Sequence, residues 1–199
     1  MHLRVRYSSL MYITSQEVTL ENTVVMAELQ LFEDEDRSKL KSIYQQWLSL
    51  SSLCEEMQGR RINIPEIISE GVFSIEFGCA RFLKCTGKIS SSFDCLRLED
   101  NARIQVKATS VKTDLTSFGP KSTWDEIYLI HFLPNDRYDG AFSIYKIEDD
   151  LIYNHKVNRN ETFRDQQMAG KRPRFSIMKD IIIPHHVKPS RVGNILDYR

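Results

Sequence analysis

No apolar run in the chain approaches the roughly 20 residues that a helix needs to cross a bilayer. The N-terminus also has no secretory hydrophobic block. These two absences predict a cytoplasmic protein with no membrane partner. The four cysteines, Cys54, Cys79, Cys85 and Cys95, are nowhere spaced as C-x-x-C, which argues against a structural zinc site and predicts reduced, mostly buried thiols. Net charge is lacking too: 27 basic side chains balance 27 acidic ones, so overall charge gives no reason to expect a polyanionic partner. Internal repeats and low-complexity linkers are absent, and 199 residues suit a single domain with a substantial core.

The neutral total conceals a gradient. Residues 1–36 carry two arginines against seven acids, net −5, whereas residues 171–191 carry six basic side chains, Lys171, Arg172, Arg174, Lys179, Lys188 and Arg191, against Asp180 alone, net +5. A local excess of this kind suits a phosphate-lined partner. It suits a plain solvated surface equally well, so charge by itself does not choose.

Periodicity gives the elements. Leu40, Ile43, Trp47, Leu50, Cys54 and Met57 recur in steps of three and four, predicting a helix from Asp36 to about Gly59 with one apolar stripe. That stripe reads first as core and second, through its heptad-like spacing, as a contact between two subunits. A second helix is predicted from a cap at Asn63 or Ile64, with Pro65 in its first turn and Glu66 and Glu70 on one face. Ile67, Ile68, Val72 and Ile75 would cover the opposite, buried side, and Gly71 and Gly78 would admit a neighbouring sheet. Residues 91–98 read as a strand, Glu99 to Asn101 as a turn, and Arg103 to Thr109 as the returning strand. Glu126 to Leu133 and Ala141 to Ile147 read as two more, around the turn-rich residues 134–140. The expected class is therefore α/β (α+β), a central mixed β-sheet flanked by helices. Residues 1–35 are an N-terminal extension that resists interpretation: a strand-rich segment, or partly the product of an upstream start, since Met11 and Met26 could also begin a chain. Residues 36–183 would form the core and 184–199 a tail.

The chemistry concentrates in the hairpin. Ile104 and Val106 share one face of the returning strand, so Gln105 and Lys107 share the other and can meet the Asp94 carboxylate across the hairpin. An isolated carboxylate, an amide oxygen and an ammonium are the parts of a metal-dependent nuclease. Magnesium accepts only a few protein oxygens and keeps several waters, so Asp94, Gln105, the backbone carbonyl of Val106 and a substrate phosphate would suffice. Lys107 would orient the attacking water and offset developing charge. For three residues alone, an ordinary turn Asp and a solvated strand Lys is an equally good reading.

The arrangement resembles the PD-(D/E)xK nuclease superfamily in its Asp...Gln-x-Lys variant. More specifically, five separated blocks are similar to a small family of type II restriction endonucleases that cut within GC-N-GC. The blocks are Ser90 to Asp94, Arg103 to Ala108, Asp114 to Pro120, Trp124 to Glu126, and Asp165 to Gln167 followed by Gly170 to Ser176. The likeness covers roughly residues 60–183. The resemblance implies Mg2+-dependent double-strand cleavage of DNA, a restriction-endonuclease-like core, and a cognate DNA methyltransferase as functional partner. Two departures matter: Phe93 stands where Pro is usual, and Gln105 replaces an acid, so ion binding should lean on Asp94 and one further carboxylate. The resemblance assigns that role to Glu70; Glu66 reads as a helix-end acid.

For recognition, Gln166, Gln167, Lys171, Arg172 and Arg174 offer the donors and acceptors that base edges in the major groove require, Arg being suited to guanine. Pro173 would keep the flanking arginines extended. Lys121 and Ser122 read as phosphate contacts, and His131, His155, His185 and His186 as core or surface residues. A symmetric target predicts two subunits on one site, with a monomer cutting the strands in succession as the rival. Another nuclease of the superfamily, serving repair or a mobile element, and a non-catalytic nucleic-acid-binding protein remain open alternatives.

Overall fold

A computed structural model describes residues 4–7, 11–87, 92–112 and 114–199. In chain order it holds β1 (Arg4–Tyr7), β2 (Met11–Leu20), β3 (Thr23–Leu31), α1 (Asp34–Glu56), α2 (Glu66–Phe77), β4 (Ala80–Cys85), β5 (Cys95–Arg97), β6 (Ala102–Thr109), β7 (Thr116–Ser117), β8 (Glu126–His131), β9 (Ala141–Ile147), α3 (Asp149–Tyr153), α4 (Phe163–Met168), β10 (Arg174–Phe175) and β11 (Arg191–Asn194). Nine strands form one mixed sheet in the order β1-β2-β3-β4-β5-β6-β8-β9-β11. Its one parallel pairing, among the described residues, is β6 with β8; β7 and β10 pair separately as a short antiparallel ribbon. This is the expected mixed sheet flanked by helices.

Residues 11–31, which the sequence left open, form a long hairpin that β3 joins to β4. Its two-residue turn uses Glu21 and Asn22, both at positive φ, the twist that a tight hairpin requires. Beyond the turn, the alternation of Val18, Leu20, Val25, Ala27 and Leu29 builds a small apolar cluster with Phe82, Phe93 and Leu96.

The sheet divides two larger cores because side chains alternate along β8. Tyr128 and Ile130 face α1 and α2, with Leu40, Tyr44, Trp47, Ile68, Val72 and Phe73. Ile127 and Leu129 face the other layer, with Phe118, Trp124, Phe163, Phe175 and Ile177. Helix α1 corrects the expected stripe. Its buried line is Leu40, Tyr44, Trp47 and Ser51, while Leu50 and Met57 stand 54% and 82% exposed. The cause is rotation: a straight helix at 3.6 residues per turn drifts away from a strict seven-residue repeat.

Helix α2 begins one to two residues later than expected. Pro65 is extended and caps it, and Gly78 closes it in the left-handed conformation at φ +66°. Gly71 also differs: a side chain there would meet Leu40 and Phe32, so it lets α1 approach rather than a sheet. The hairpin is close to expectation, with strands at Cys95–Arg97 and Ala102–Thr109 and Asn101 at positive φ in the turn. Ser90 and Ser91 lie outside the described residues. All four cysteines are free thiols, Cys79 and Cys95 buried. No helix among the described residues is long and apolar enough to cross a membrane.

Gly140 links the β8–β9 turn to the C-terminal strand. It sits at φ +83°, its carbonyl accepts from the Ile195 N–H at 2.9 Å, and an added Cβ would lie 2.4 Å from Asn194 Oδ1 and 2.6 Å from Leu196 Cγ. Gly140→Ala should therefore destabilise by about 2–4 kcal/mol, from left-handed strain plus overpacking. Urea unfolding should give a lower midpoint at unchanged slope.

Candidate active site

Asp94 lies just before β5. Its backbone is held on both sides: its N–H donates to the Ile104 carbonyl and its carbonyl accepts from the Phe82 N–H, each at 2.9 Å. Its carboxylate then takes the place of a ladder partner. Oδ2 accepts the Val106 N–H at 2.8 Å and also the Gln105 side-chain amide. Since the N–H and C=O of one strand residue point to the same side, the Val106 carbonyl faces this same open edge.

Gln105 is buried and Lys107 half-buried. They pair in register with Ile127 and Leu129 of the second core, so they share the face that alternation assigned to them. The Lys107 ammonium lies 5.5 Å from the Phe118 ring centre and makes no ion pair within 4 Å among the described residues. The cleft in front of it, about 400 Å3, is lined by Glu70, Asp94, Val106, Lys107, Asp114 and Ser117 among others.

Glu70 enters from α2 and is gripped by Arg81 of β4. Burial pushes its carboxyl up to about 7 even with that guanidinium attached, and the neighbouring Asp94 adds to the push. Burial also raises Asp94, against the lowering pull of Lys107 and the Val106 and Gln105 donors. Lys107 is drawn down by burial, with Asp94 and Glu70 opposing and Arg172 reinforcing. Three titratable groups displaced from their ordinary values in one cleft form the usual signature of a reactive centre. The oxygen-rich donors, two crowded carboxylates, an amide and a carbonyl, fit a hard divalent cation, whose charge would relieve the carboxylate crowding. Among the described residues, three His, Cys, Asp or Glu side chains nowhere converge as a metal cluster.

The predicted recognition residues separate into two groups. Arg172 and Arg174 are exposed and flank Pro173, with Arg174 opposite Ser117 in the β7–β10 ribbon at the cleft edge. Lys121 is exposed and Ser122 half-exposed. The others are occupied within the protein. Gln167 donates to the Gly119 and Ser122 carbonyls at 3.3 and 3.1 Å. Gln166 is buried and donates to Glu161, which also pairs with Lys171. Of the histidines, His155 packs on Phe175 and His131 is held below its ordinary pKa by burial.

A protein-family model, the Bsp6I restriction endonuclease, matches residues 32–184. The chain belongs to the Bsp6I restriction endonuclease family. The type II restriction enzyme Bsp6I of Bacillus sp. (strain RFL6) is 35% identical over 146 residues, 72% of this chain and 79% of that protein. No solved structure matches. The family makes this chain a type II restriction endonuclease, a site-specific deoxyribonuclease that binds DNA, and such enzymes generally use a divalent metal. The match reaches back through α1, well before residue 60 where the sequence likeness became legible.

Two residues that the sequence left without a role organise the site. One is Arg81, on Glu70. The other is Asp114, buried, whose carboxylate accepts from the Ser176 hydroxyl, the Ile177 N–H at 2.9 Å and the Thr116 hydroxyl at 3.1 Å. It thereby ties the β7 segment to the chain following β10. Both Asp114 and Ser176 stand in resembling blocks, but their 62-residue separation hid the pairing. Asp114→Ala would leave several buried donors unpaired and should cost about 3 kcal/mol or more. Thermal unfolding should fall accordingly, and the ribbon should become the first site of proteolysis.

Proposed function

We propose that Asp94, Gln105, Lys107 and Glu70 form the catalytic centre for Mg2+-dependent double-strand cleavage, and that the target is GC-N-GC. The observation carrying this reading is the Asp94 carboxylate seated on the Gln105 amide and the Val106 N–H, with Lys107 next on the same face of β6. Asp94, the Gln105 amide oxygen, the Val106 carbonyl and Glu70 would hold the ion. When bound, Mg2+ supplies charge that polarises the phosphate and lowers the pKa of water. Lys107 directs its ammonium at the attacking water and at the negative charge that builds on the phosphate, in a cleft where burial strengthens the interaction.

Arg172 and Arg174 serve as the DNA-reading cations, with Lys121 and Ser122 on the phosphate backbone. Gln166, Gln167 and Lys171 support them by fixing the segments between, through their contacts with Glu161, Gly119 and Ser122. The target GC-N-GC follows the sequence likeness and is the specificity for which the relative Bsp6I is known. Its symmetry calls for two chains about the DNA dyad, each supplying one catalytic set. The whole chain acts as one nuclease domain, since β1 to β3 extend the same sheet. It works in the cytoplasm beside a DNA methyltransferase that protects the host copies of the target.

Asp94→Ala and Lys107→Ala should each abolish plasmid cleavage while leaving DNA affinity in Ca2+ within a few-fold of wild type, because each removes transition-state chemistry and not the binding surface. EDTA should stop the wild-type enzyme, and added Mg2+ should restore it. Full activity in either variant would remove that residue from the centre.

A base-reading Arg should lose about 1–3 kcal/mol on the cognate duplex alone when cut to Ala, whereas a phosphate contact weakens all sequences alike. Comparing Arg172→Ala and Arg174→Ala on cognate and single-mismatch duplexes separates the two, and a uniform loss in both would refute base reading. Sedimentation with a single-site duplex should give two chains per site. A one-to-one complex that accumulates nicked circles would establish the monomer.

A further inference from the structure

Glu70 lies on a helix and Asp94 on a strand edge, so their separation depends on whatever joins these elements on the cleft side. Arg81 does so. In register it stands opposite Cys95, next to Asp94, and the following residue, Phe82, donates its N–H to the Asp94 carbonyl at 2.9 Å. Its guanidinium then reaches α2. Nε donates to Glu70 Oε2, Nη2 to Glu66 Oε1 at 3.0 Å, and Nη1 to Gln30 Oε1 at 3.4 Å on β3. A planar fork held at three points fixes direction as well as distance.

Exposure separates the roles of the two glutamates. The Glu66 side chain is 78% exposed and anchors the outer edge of the fork. Those of Glu70 and Arg81 are 13% and 15% exposed, too enclosed for Arg81 to touch a DNA phosphate where it stands. Arg81 holds one oxygen of Glu70, and the other, Oε1, has no hydrogen-bond partner among the described residues.

We propose that Arg81 is a positioning residue that grips Glu70 by Oε2 and so aims Oε1 into the cleft beside Asp94 as a ready ligand for a divalent cation. This rests on the reading of Glu70 as a metal ligand. Groups that orient a ligand from behind typically change metal affinity or activity about 10- to 100-fold when removed. Arg81 also adds positive charge near the ion, which alone would weaken metal binding. Orientation outweighs that repulsion because an unheld Glu70 can swing out of the cleft towards water.

The test uses the full chain and Mn2+ as probe, with calorimetric titration of the DNA-free protein, cleavage against metal concentration, and DNA affinity in EDTA. Arg81→Gln should weaken Mn2+ binding about tenfold or more and raise the metal concentration for half-maximal cleavage in step. DNA affinity in EDTA should be unchanged. Arg81→Lys, with the charge but not the fork, should bind Mn2+ severalfold more weakly than wild type, and it carries the test if Arg81→Gln does not fold. The double variant Arg81→Gln/Glu70→Gln should be no worse than Glu70→Gln alone, since the residues act as a unit.

Unchanged or tighter Mn2+ binding in Arg81→Gln, additive losses in the double variant, or a fall in EDTA affinity for DNA would each overturn the proposal, the last by making Arg81 a DNA contact. Wild-type binding by Arg81→Lys would overturn it as well. If Glu70→Gln itself binds Mn2+ normally, the reading of Glu70 as a ligand falls and the proposal with it. If Glu70→Gln is weakened and Arg81→Gln is not, only the role of Arg81 falls.

Discussion

The site depends on a backbone N–H that has lost its strand. At Val106, β6 runs past the start of β5 and would leave a donor unpaired in a half-buried cleft, a cost of about 1–3 kcal/mol. The Asp94 carboxylate accepts that donor at 2.8 Å. One hydrogen bond thus completes the sheet edge and fixes the anionic group of the proposed centre. The same edge turns the Val106 carbonyl outward and leaves Lys107 on the face beside it. A strand pair one residue longer would satisfy the donor with a carbonyl and close the gap in which we place the chemistry.

Around that edge, the fold repeatedly brings distant segments together through single carboxylates. Asp114 collects donors from Thr116, Ser176 and Ile177 and so holds the ribbon that displays Arg174. Glu126 receives Arg97, Lys146 and Tyr128, tying β5, β8 and β9 beside the hairpin turn. Asp125 binds the Arg103 backbone and guanidinium. These pairs explain why a neutral protein can serve a polyanion. Many of its acids are matched to internal partners, while Arg172, Arg174 and Lys121 remain exposed.

The cleft in front of Lys107 is also where the fold tolerates its least comfortable groups. Glu70, Asp94 and Lys107 are all displaced from their usual pKa values first by burial. Mutual attraction across the cleft recovers part of that cost, and a divalent cation would recover more. Arg81 grips Glu70 from behind, and the Phe118 ring lies 5.5 Å from the Lys107 ammonium.

The amino-acid sequence by itself determined the period-two alternation that put Gln105 and Lys107 on one face, the turn at Glu99 to Asn101, the paired strands around residues 134–140, and the Asp94 to Lys107 pattern with its family likeness. These are local properties, set by residue spacing and turn chemistry within a few positions. The hairpin over residues 11–31 escaped because its turn is Glu21-Asn22 and lacks a glycine signature. Helix α1 was legible as a helix, but not the line it buries, because Tyr44 and Ser51 become its buried centre, with Ile43 at the edge and Leu50 turned out, only once the sheet fixes the helix's rotation. Tertiary structure alone decided that Gln166 and Gln167 brace the protein and do not face outward, that Asp114 meets Ser176, and that Arg81 meets Glu70. Apart from Gln166, whose partner Glu161 is five residues away, each of those depends on segments 11 to 62 residues apart arriving at one place, and no local pattern encodes the distance between elements that only the packed sheet brings together.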